Sequence, residues 1–475
     1  MKKHSILKVV LLTLLIVIVA AWFLPVTNVT NGEFVTRDAT NAGLFTVGNN
    51  FLTALQYFGG IAVFVLAVGG LYGVLHKIPQ YRVLLDKIVK CFANKEWLFM
   101  VIVGILFAAL SSMAGLAVVL IAFFPLVISV ILLMGYDKVT AVMLTVGSTI
   151  AGLIGTVYNT NAVYGTVSVI GEAPDTNVLY KIILLVGSLA LVIVNTILYG
   201  KKHKDKNKNV ESTYVPEKVT VKKKHVYPIV IALCVLLVVF TLAFFDWNLF
   251  EVDLFNKMSS FLETPSGSSL TRNLLGAINK VVGVTAKTGF GAWTLGDASV
   301  ALLTISWLLS FAYRKKFSDF LTDFGAGAKK AVLPAFLVLL SYTVLVSAVN
   351  NPVEMSVLKY IVDLKVTNTI GMTLIMCVAA IVYCLFTVES YYGVISAASY
   401  IQAVTTASTI GLVALIWQSM YGLTMLFAPT SVALVATLSY LDIPYTKWVK
   451  AIWKLILELL ALCVIVLIIF NCVAV

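Results

Sequence analysis

WLFMVIVGILFAALSSMAGLAVVLIAFFPLVISVILLMG, residues 97–135, contains no charged side chain. A helix needs about 20 apolar residues to cross roughly 30 Å of hydrocarbon, so this run is too long for one crossing. Its middle carries Ser111-Ser112-Met113-Ala114-Gly115, a small polar tip ending in glycine. The distribution of charge puts the loops on either side on one face of the membrane. The chain therefore enters and leaves on the same side, as a re-entrant helical hairpin, and residues 368–404 repeat the pattern. Backbone that turns at membrane depth is tolerated only where protein buries it or a watery cavity meets it.

The rest of the chain fits that reading. Its 475 residues are 60% hydrophobic and 12% charged, too apolar for one soluble core and divided into runs of membrane-spanning length. Leu7 to Leu24 is the first run, and Lys2, Lys3 and Lys8 before it would also suit a secretory signal. Trp22-Phe23-Leu24-Pro25 closes it without a small-x-small cleavage site, so it reads as a retained helix.

The cysteines, at 91, 234, 377, 384, 463 and 472, have no paired spacing and mostly sit in apolar runs, which supports neither a disulfide framework nor a zinc knuckle. His4, His76, His203 and His225 lie at helix ends or in basic loops. That placement argues against intramembrane haem, a zinc protease or a Ser-His hydrolase.

The net charge of +12 could suggest nucleic acid, but the basic residues cluster in short loops. Lys77, Arg82, Lys87, Lys90 and Lys95 form one group; nine lysines in 201–225 form a second; Arg314, Lys315, Lys316, Lys329 and Lys330 a third; Lys447, Lys450 and Lys454 a fourth. Short loops rich in Lys and Arg stay cytoplasmic. Segments 26–51, 163–177 and 247–297, with Glu33, Asp38, Glu172, Asp175, Glu251 and Asp253, face outward. This places the N-terminus inside and predicts about nine spans, at 7–25, 52–75, 139–163, 178–200, 226–245, 298–313, 331–349, 407–436 and 453–471.

The chain also repeats itself. The apolar helix 60–76 is followed by Lys77-Ile78-Pro79-Gln80 and the amphipathic Tyr81 to Phe92, and 332–349 by Asn350-Asn351-Pro352-Val353 and Glu354 to Leu364. Next come the two hairpins, tipped by Ser111 to Gly115 and by Thr387-Val388-Glu389-Ser390-Tyr391-Tyr392-Gly393. Two long helices then break at polar stretches, Gly155-Thr156-Val157-Tyr158-Asn159-Thr160-Asn161 and Ala428-Pro429-Thr430-Ser431. Loops holding Pro174 and Pro444 and a final apolar helix end each half. The charge rule puts the first amphipathic stretch inside and the second outside, so the halves are inverted.

The expected fold is thus an all-α integral membrane protein, an inverted-repeat secondary transporter with two re-entrant hairpins and two broken helices. Its parts are 1–51, a first helix and outer loop; 52–200, the first repeat; 201–225, a solvated basic linker; 226–330, connecting helices and an outer loop; and 331–475, the second repeat.

Broken helices expose N–H and C=O groups that lipid cannot satisfy, so their ends need a ligand, an ion or water. Positive half-helix N-termini favour carboxylates, and Ser, Thr and Asn oxygens suit a small cation such as Na⁺. The candidate substrate site is Ser111, Ser112 and Gly115; Thr156, Asn159, Thr160 and Asn161; Thr387, Glu389 and Ser390; and Pro429, Thr430 and Ser431. Each Ser, Thr or Gly also has the reading of a helix-packing residue. Asn159, Asn161, Glu389 and Thr430 are the candidates for the coupling ion, Na⁺ or H⁺, and no other cofactor is expected. Glu389 is the sharpest, because a carboxylate between apolar runs is costly unless it lines a cavity or pairs with a cation. It could carry a proton, hold Na⁺ or meet a substrate amine; the competing reading is a tip that reaches the interface. Gln418, Tyr421, Ser148 and Thr149 are secondary candidates, better explained by interhelical contacts.

Taken in order, six motifs resemble the YfcC-like carriers of the ion transporter superfamily, described as four-carbon dicarboxylate or basic amino-acid carriers. These are Trp22 to Pro25, Gly69-Gly70-Leu71-Tyr72-Gly73-Val74-Leu75, Phe124-Pro125-Leu126, Gly135-Tyr136-Asp137, Pro429-Thr430-Ser431 and Pro444-Tyr445-Thr446-Lys447-Trp448. The resemblance implies a multi-pass protein of a bacterial cytoplasmic membrane, a homodimer, a small organic acid or amino acid as substrate, and elevator-like alternating access. The chain departs from the family pattern in three places. Leu116-Ala117-Val118-Val119 stand where two acids usually follow the hairpin glycine, Thr387 to Tyr391 replace Pro-Ser-Gly-Ser-Gly, and Asn159-Thr160 replaces Asn-Pro.

Other classes fit less well. A channel would show a ring of like charges or a filter motif. An intramembrane enzyme would need membrane histidines or paired acids, and a pump would need a phosphate-cradling loop. None is visible in the sequence.

Overall fold

In hydrocarbon every backbone N–H and C=O must be paired inside the protein, which drives long apolar runs into helices. A computed structural model describes residues 5–31, 33–38, 42–158, 169–171, 176–205, 214–218, 225–264, 268–283, 289–351, 355–356, 359–360, 369–395, 398, 401–402 and 409–474. Eight described helices are long and apolar enough to cross a membrane. They are α1 (Ser5–Phe23), α2 (Leu44–His76), α4 (Glu96–Ala114), α8 (Val178–His203), α9 (Tyr227–Phe244), α12 (Leu295–Ala312), α13 (Phe317–Asn350) and α18 (Tyr445–Ala474).

Seven of these fall on expected spans. The eighth, α4, is the first arm of the 97–135 hairpin and is itself of spanning length. The other two expected spans are interrupted. One runs as α6 (Lys138–Val142), a π-helical turn at Met143–Gly147 and α7 (Ser148–Ile154); the other as α16 (Ile410–Met425) and α17 (Val432–Leu441). Thr140 N–H is capped by the Asp137 side chain at 2.9 Å, which sets the start of the first.

The first hairpin turns at its polar tip. There Gly115 takes φ 68° and ends α4, after which a 3₁₀ turn at Val119–Phe123 leads into α5 (Phe124–Leu133). A left-handed residue costs glycine least. The hairpin base is fixed by Glu96, which accepts from Tyr136 Oη at 3.0 Å and from the Lys204 ammonium. Burial, and Glu96 beside it, push the Tyr136 phenol up. In the second hairpin, α14 (Thr369–Cys384) and α15 (Ser390–Ile395) flank the tip, and most of 396–408 lies outside the described residues.

The two longest helices, α2 and α13, pack against each other at glycines. A Cβ on Gly73 would lie 2.4 Å from Asp323 O, and one on Gly327 would lie 2.2 Å from Gly69 O. Small residues at such a crossing let two backbones touch, and the resulting van der Waals packing is one source of helix association in lipid. Gly69 and Gly73 stand four residues apart on one face, which makes the contact a ridge rather than a point.

Several loops differ from their expected form. The outer segment after α1 folds as an antiparallel pair, β1 (Val26–Thr30) and β2 (Glu33–Arg37), turning at Asn31 with φ 54°. Thr27 Oγ1 and Ser356 Oγ, 2.8 Å apart, tie that pair to the second half. The 247–297 segment contains two amphipathic helices, α10 (Leu254–Glu263) and α11 (Ser269–Val282). The amphipathic stretch after the first long helix is α3 (Pro79–Cys91); most of its expected counterpart, Glu354 to Leu364, lies outside the described residues.

The linker departs from a fully solvated segment. Tyr214 and Val215 are buried, Ser129 Oγ donates to Tyr214 O at 2.7 Å, and Arg82 donates to Pro216 O at 3.0 Å. Its lysine-rich composition hid this, because the packing rests on a few apolar residues within it.

Candidate functional site

The first hairpin tip is fastened to the first helix break. Ser112 Oγ donates to Gly155 O at 2.8 Å and accepts from Val157 N–H at 3.2 Å, while Ser112 O accepts from the N–H groups of Val157 and Tyr158. Carbonyls at the end of α7 would otherwise be unpaired at membrane depth. Thr156 Oγ1 bonds back to Leu153 O at 2.7 Å, and Ser111 is buried where α4 passes Gly152. Asn159, Thr160 and Asn161 lie outside the described residues.

The break also meets the second half. Gln418 Nε2, on α16, donates to Thr156 O at 2.7 Å. Gly422, one turn further on, leaves no room for a Cβ, which would fall 2.5 Å from Ile154 N. From the same helix, Tyr421 Oη donates to Val388 O at 3.0 Å and Trp417 Nε1 to Ser390 Oγ at 2.9 Å. Thr430 Oγ1, in the second break, donates to Leu385 O at 2.9 Å. Hydrogen bonds thus run from the first tip through the first break and α16 to the second tip, and Thr430 ties the second break to Leu385 beside that tip.

Glu389 ends that chain. Its Oε1 accepts from Tyr342 Oη of α13 at 2.6 Å, and the Tyr342 ring stacks on Phe58 of α2 with centroids 4.3 Å apart. The carboxylate is therefore held against the α2–α13 pair. Thr387 Oγ1 is occupied by Tyr383 O at 3.2 Å. Pro429 O faces Ser341 Oγ at 3.5 Å, and Ser431 begins α17 without a side-chain cap, leaving its first-turn N–H groups without that partner.

Of the secondary candidates, Gln418 and Tyr421 join the network, whereas Thr149 Oγ1 bonds within its own helix to Thr145 O at 2.9 Å, and Ser148 sits where α4 passes at Gly104. Three residues escaped the sequence reading: Tyr342, Trp417 and Lys181. Tyr342 was signalled by Ser341-Tyr342-Thr343, a polar triplet inside an apolar span. Lys181 is 4% exposed on the buried stripe of α8 that also holds Leu184 and Ser188. Ser188 Oγ donates to Ala151 O at 3.1 Å, and Leu185 N would lie 2.2 Å from a Cβ on Gly155. Lys181 lies on that stripe, one turn before Leu185.

A model of the DcuC family, the C4-dicarboxylate anaerobic carriers, matches residues 34–472. The chain belongs to that family. As a DcuC member it is a multi-pass membrane carrier of a small molecule and not an enzyme, in agreement with the motif resemblance. Among curated proteins, none matches the chain. The YdaH transporter of Alcanivorax borkumensis, a crystal structure described as having an unusual topology, covers 98% of this chain and 98% of its own at 14% identity and a TM-score of 0.41. That distance bears on neither substrate nor mechanism. The DcuC match and the bonded tips are independent observations, one of the sequence as a whole and one of local geometry.

Proposed function

We propose that this DcuC member is a secondary carrier of a small carboxylate-bearing solute, a four-carbon dicarboxylate or an amino acid, which it moves by ion-coupled transport or exchange. The observation that carries this reading is the hydrogen-bonded chain linking both hairpin tips and both helix breaks. Such a chain gives one site whose walls come from both halves. The uncapped start of α17 and the buried Lys181 supply positive character for substrate carboxylates. Glu389 supplies an acidic group, suited to a proton, Na⁺ or a substrate amine. Asn159, Asn161 and Thr430 complete the proposed coupling-ion set.

The α2–α13 pair serves as the scaffold, and the tips move against it once the Glu389–Tyr342 contact is released, in an elevator-like cycle between inverted halves in a homodimer. The N-terminus is cytoplasmic and the membrane is the bacterial plasma membrane. A panel of dicarboxylates, amino acids and small solutes without a carboxylate, tested for thermal stabilisation of the purified protein, checks the substrate class. A ligand at 100 times its Kd adds about 2.7 kcal/mol to apparent stability. Stabilisation by either class supports the proposal, and stabilisation only by solutes lacking a carboxylate refutes it.

A further inference from the structure

A cavity of about 110 Å³ lies away from the bonded tips, between the α2–α13 pair on one side and α5 and α17 on the other. Its long walls are apolar, with Val65, Val68, Ile121, Phe124, Ile128 and Ala436 among them. From Val65 to Lys77 the wall formed by α2 is about 18 Å tall at the α-helical rise. The charged side chains, Lys77, Asp323 and Lys330, gather with His76 at one end, and the hydroxyl-bearing Tyr72, Thr437 and Tyr440 also line the cavity. That end belongs to the lysine-rich face of the protein.

The charges there do not cancel. Asp323 is engaged by Lys315, whereas Lys77 and Lys330 have exposed side chains and no carboxylate partner among the described residues. His76 Nε2 is buried and has no hydrogen-bond partner among the described residues. A narrow apolar slot with two cations and a spare imidazole nitrogen at its membrane-surface end is complementary to an anionic headgroup carrying a hydrocarbon chain. A small dicarboxylate would pair with the cations at that end and leave the apolar length of the slot unfilled.

We propose that this cavity holds one anionic phospholipid, with an acyl chain between Val68 and Ile128 and its phosphate at Lys77 and Lys330. Basic pockets between helices at the membrane surface recognise such headgroups. The occupant touches both the α2–α13 pair and the α5 and α17 segments, so its presence biases how those groups sit against each other.

Native mass spectrometry of the purified full chain with phosphatidylglycerol, or with phosphatidylcholine of the same chains, tests this. The expected result is a retained phosphatidylglycerol adduct and a higher melting temperature, with neither effect from phosphatidylcholine. Lys77→Gln with Lys330→Gln loses the adduct, and so does Ala436→Phe, which fills the slot and leaves the charges unchanged. Lys447→Gln with Lys450→Gln, basic residues elsewhere, keeps it. Equal retention of phosphatidylcholine would overturn the proposal, as would equal stabilisation by glycerol phosphate, which has the headgroup chemistry and no chain. Equal loss from the Lys447 and Lys450 pair would reduce the effect to general surface charge and also overturn it.

Discussion

Gln418 and Thr156 stand 262 residues apart in sequence and are joined by a 2.7 Å hydrogen bond from the Gln418 amide to the Thr156 carbonyl. Both groups are buried, and Gly422 brings the same helix against Ile154 just before the break. The bond satisfies a carbonyl that a broken helix leaves exposed, and it ties α16 to the first break.

Replacing Gln418 by Leu should therefore leave the Thr156 carbonyl buried and unpaired, at a cost of about 1–3 kcal/mol. Thermal unfolding of the purified variant would show a lowered midpoint, with uptake reduced alongside. A variant as stable and as active as the parent would mean that the bond does not hold the halves together.

Glu389→Gln should retain folding and membrane insertion and lose most uptake, because the amide can neither release a proton nor attract a cation. Tyr342→Phe removes the 2.6 Å bond to Glu389, a charge-assisted contact of about 1.5–3 kcal/mol. It should weaken transport about 10- to 100-fold while Glu389 remains able to act. Unchanged uptake by Glu389→Gln would remove the carboxylate from the mechanism.

Lys181 offers a separate test. If its ammonium meets substrate carboxylate, Lys181→Gln should raise the substrate concentration needed for half-maximal uptake, and Lys181→Arg should restore part of the affinity by keeping the charge. Equal loss in both variants, with a lowered melting temperature, would point to packing at the start of α8 instead.

The proposed inversion of the halves is testable by labelling. In a background with Cys91, Cys234 and Cys472, the exposed native thiols, removed, Ile88→Cys and Tyr360→Cys should react with an impermeant reagent from opposite sides of the membrane. Reaction of both from one side would mean that the halves share one orientation.

The elements legible in the sequence were those fixed by apolar length. Seven spans, the first hairpin, the helix end before Gly155 and the second break come from runs too long or too interrupted for a single helix, which is a property of composition. Ser112, Thr430 and Glu389 could be marked as site candidates because a polar group amid apolar runs needs a reason. Their partners could not be named, since Gly155, Leu385 and Tyr342 are brought to them by tertiary packing with no local signature. Lys181 was hidden for a different reason: a lysine near the start of a span reads as an interfacial residue reaching for water, and only its burial separates the two cases. The Val26–Thr30 strand was missed because a five-residue threonine- and valine-containing segment is too short to stand out beside the membrane pattern.

The central claim, a gradient-driven carrier with one site shared by both halves, is tested most directly by flux in proteoliposomes. Labelled four-carbon dicarboxylates and amino acids would be offered with and without an imposed Na⁺ or H⁺ gradient, or with unlabelled solute inside. The account predicts saturable uptake of one of these solutes that the gradient or the internal solute accelerates. A large, non-saturating conductance indifferent to both would contradict it.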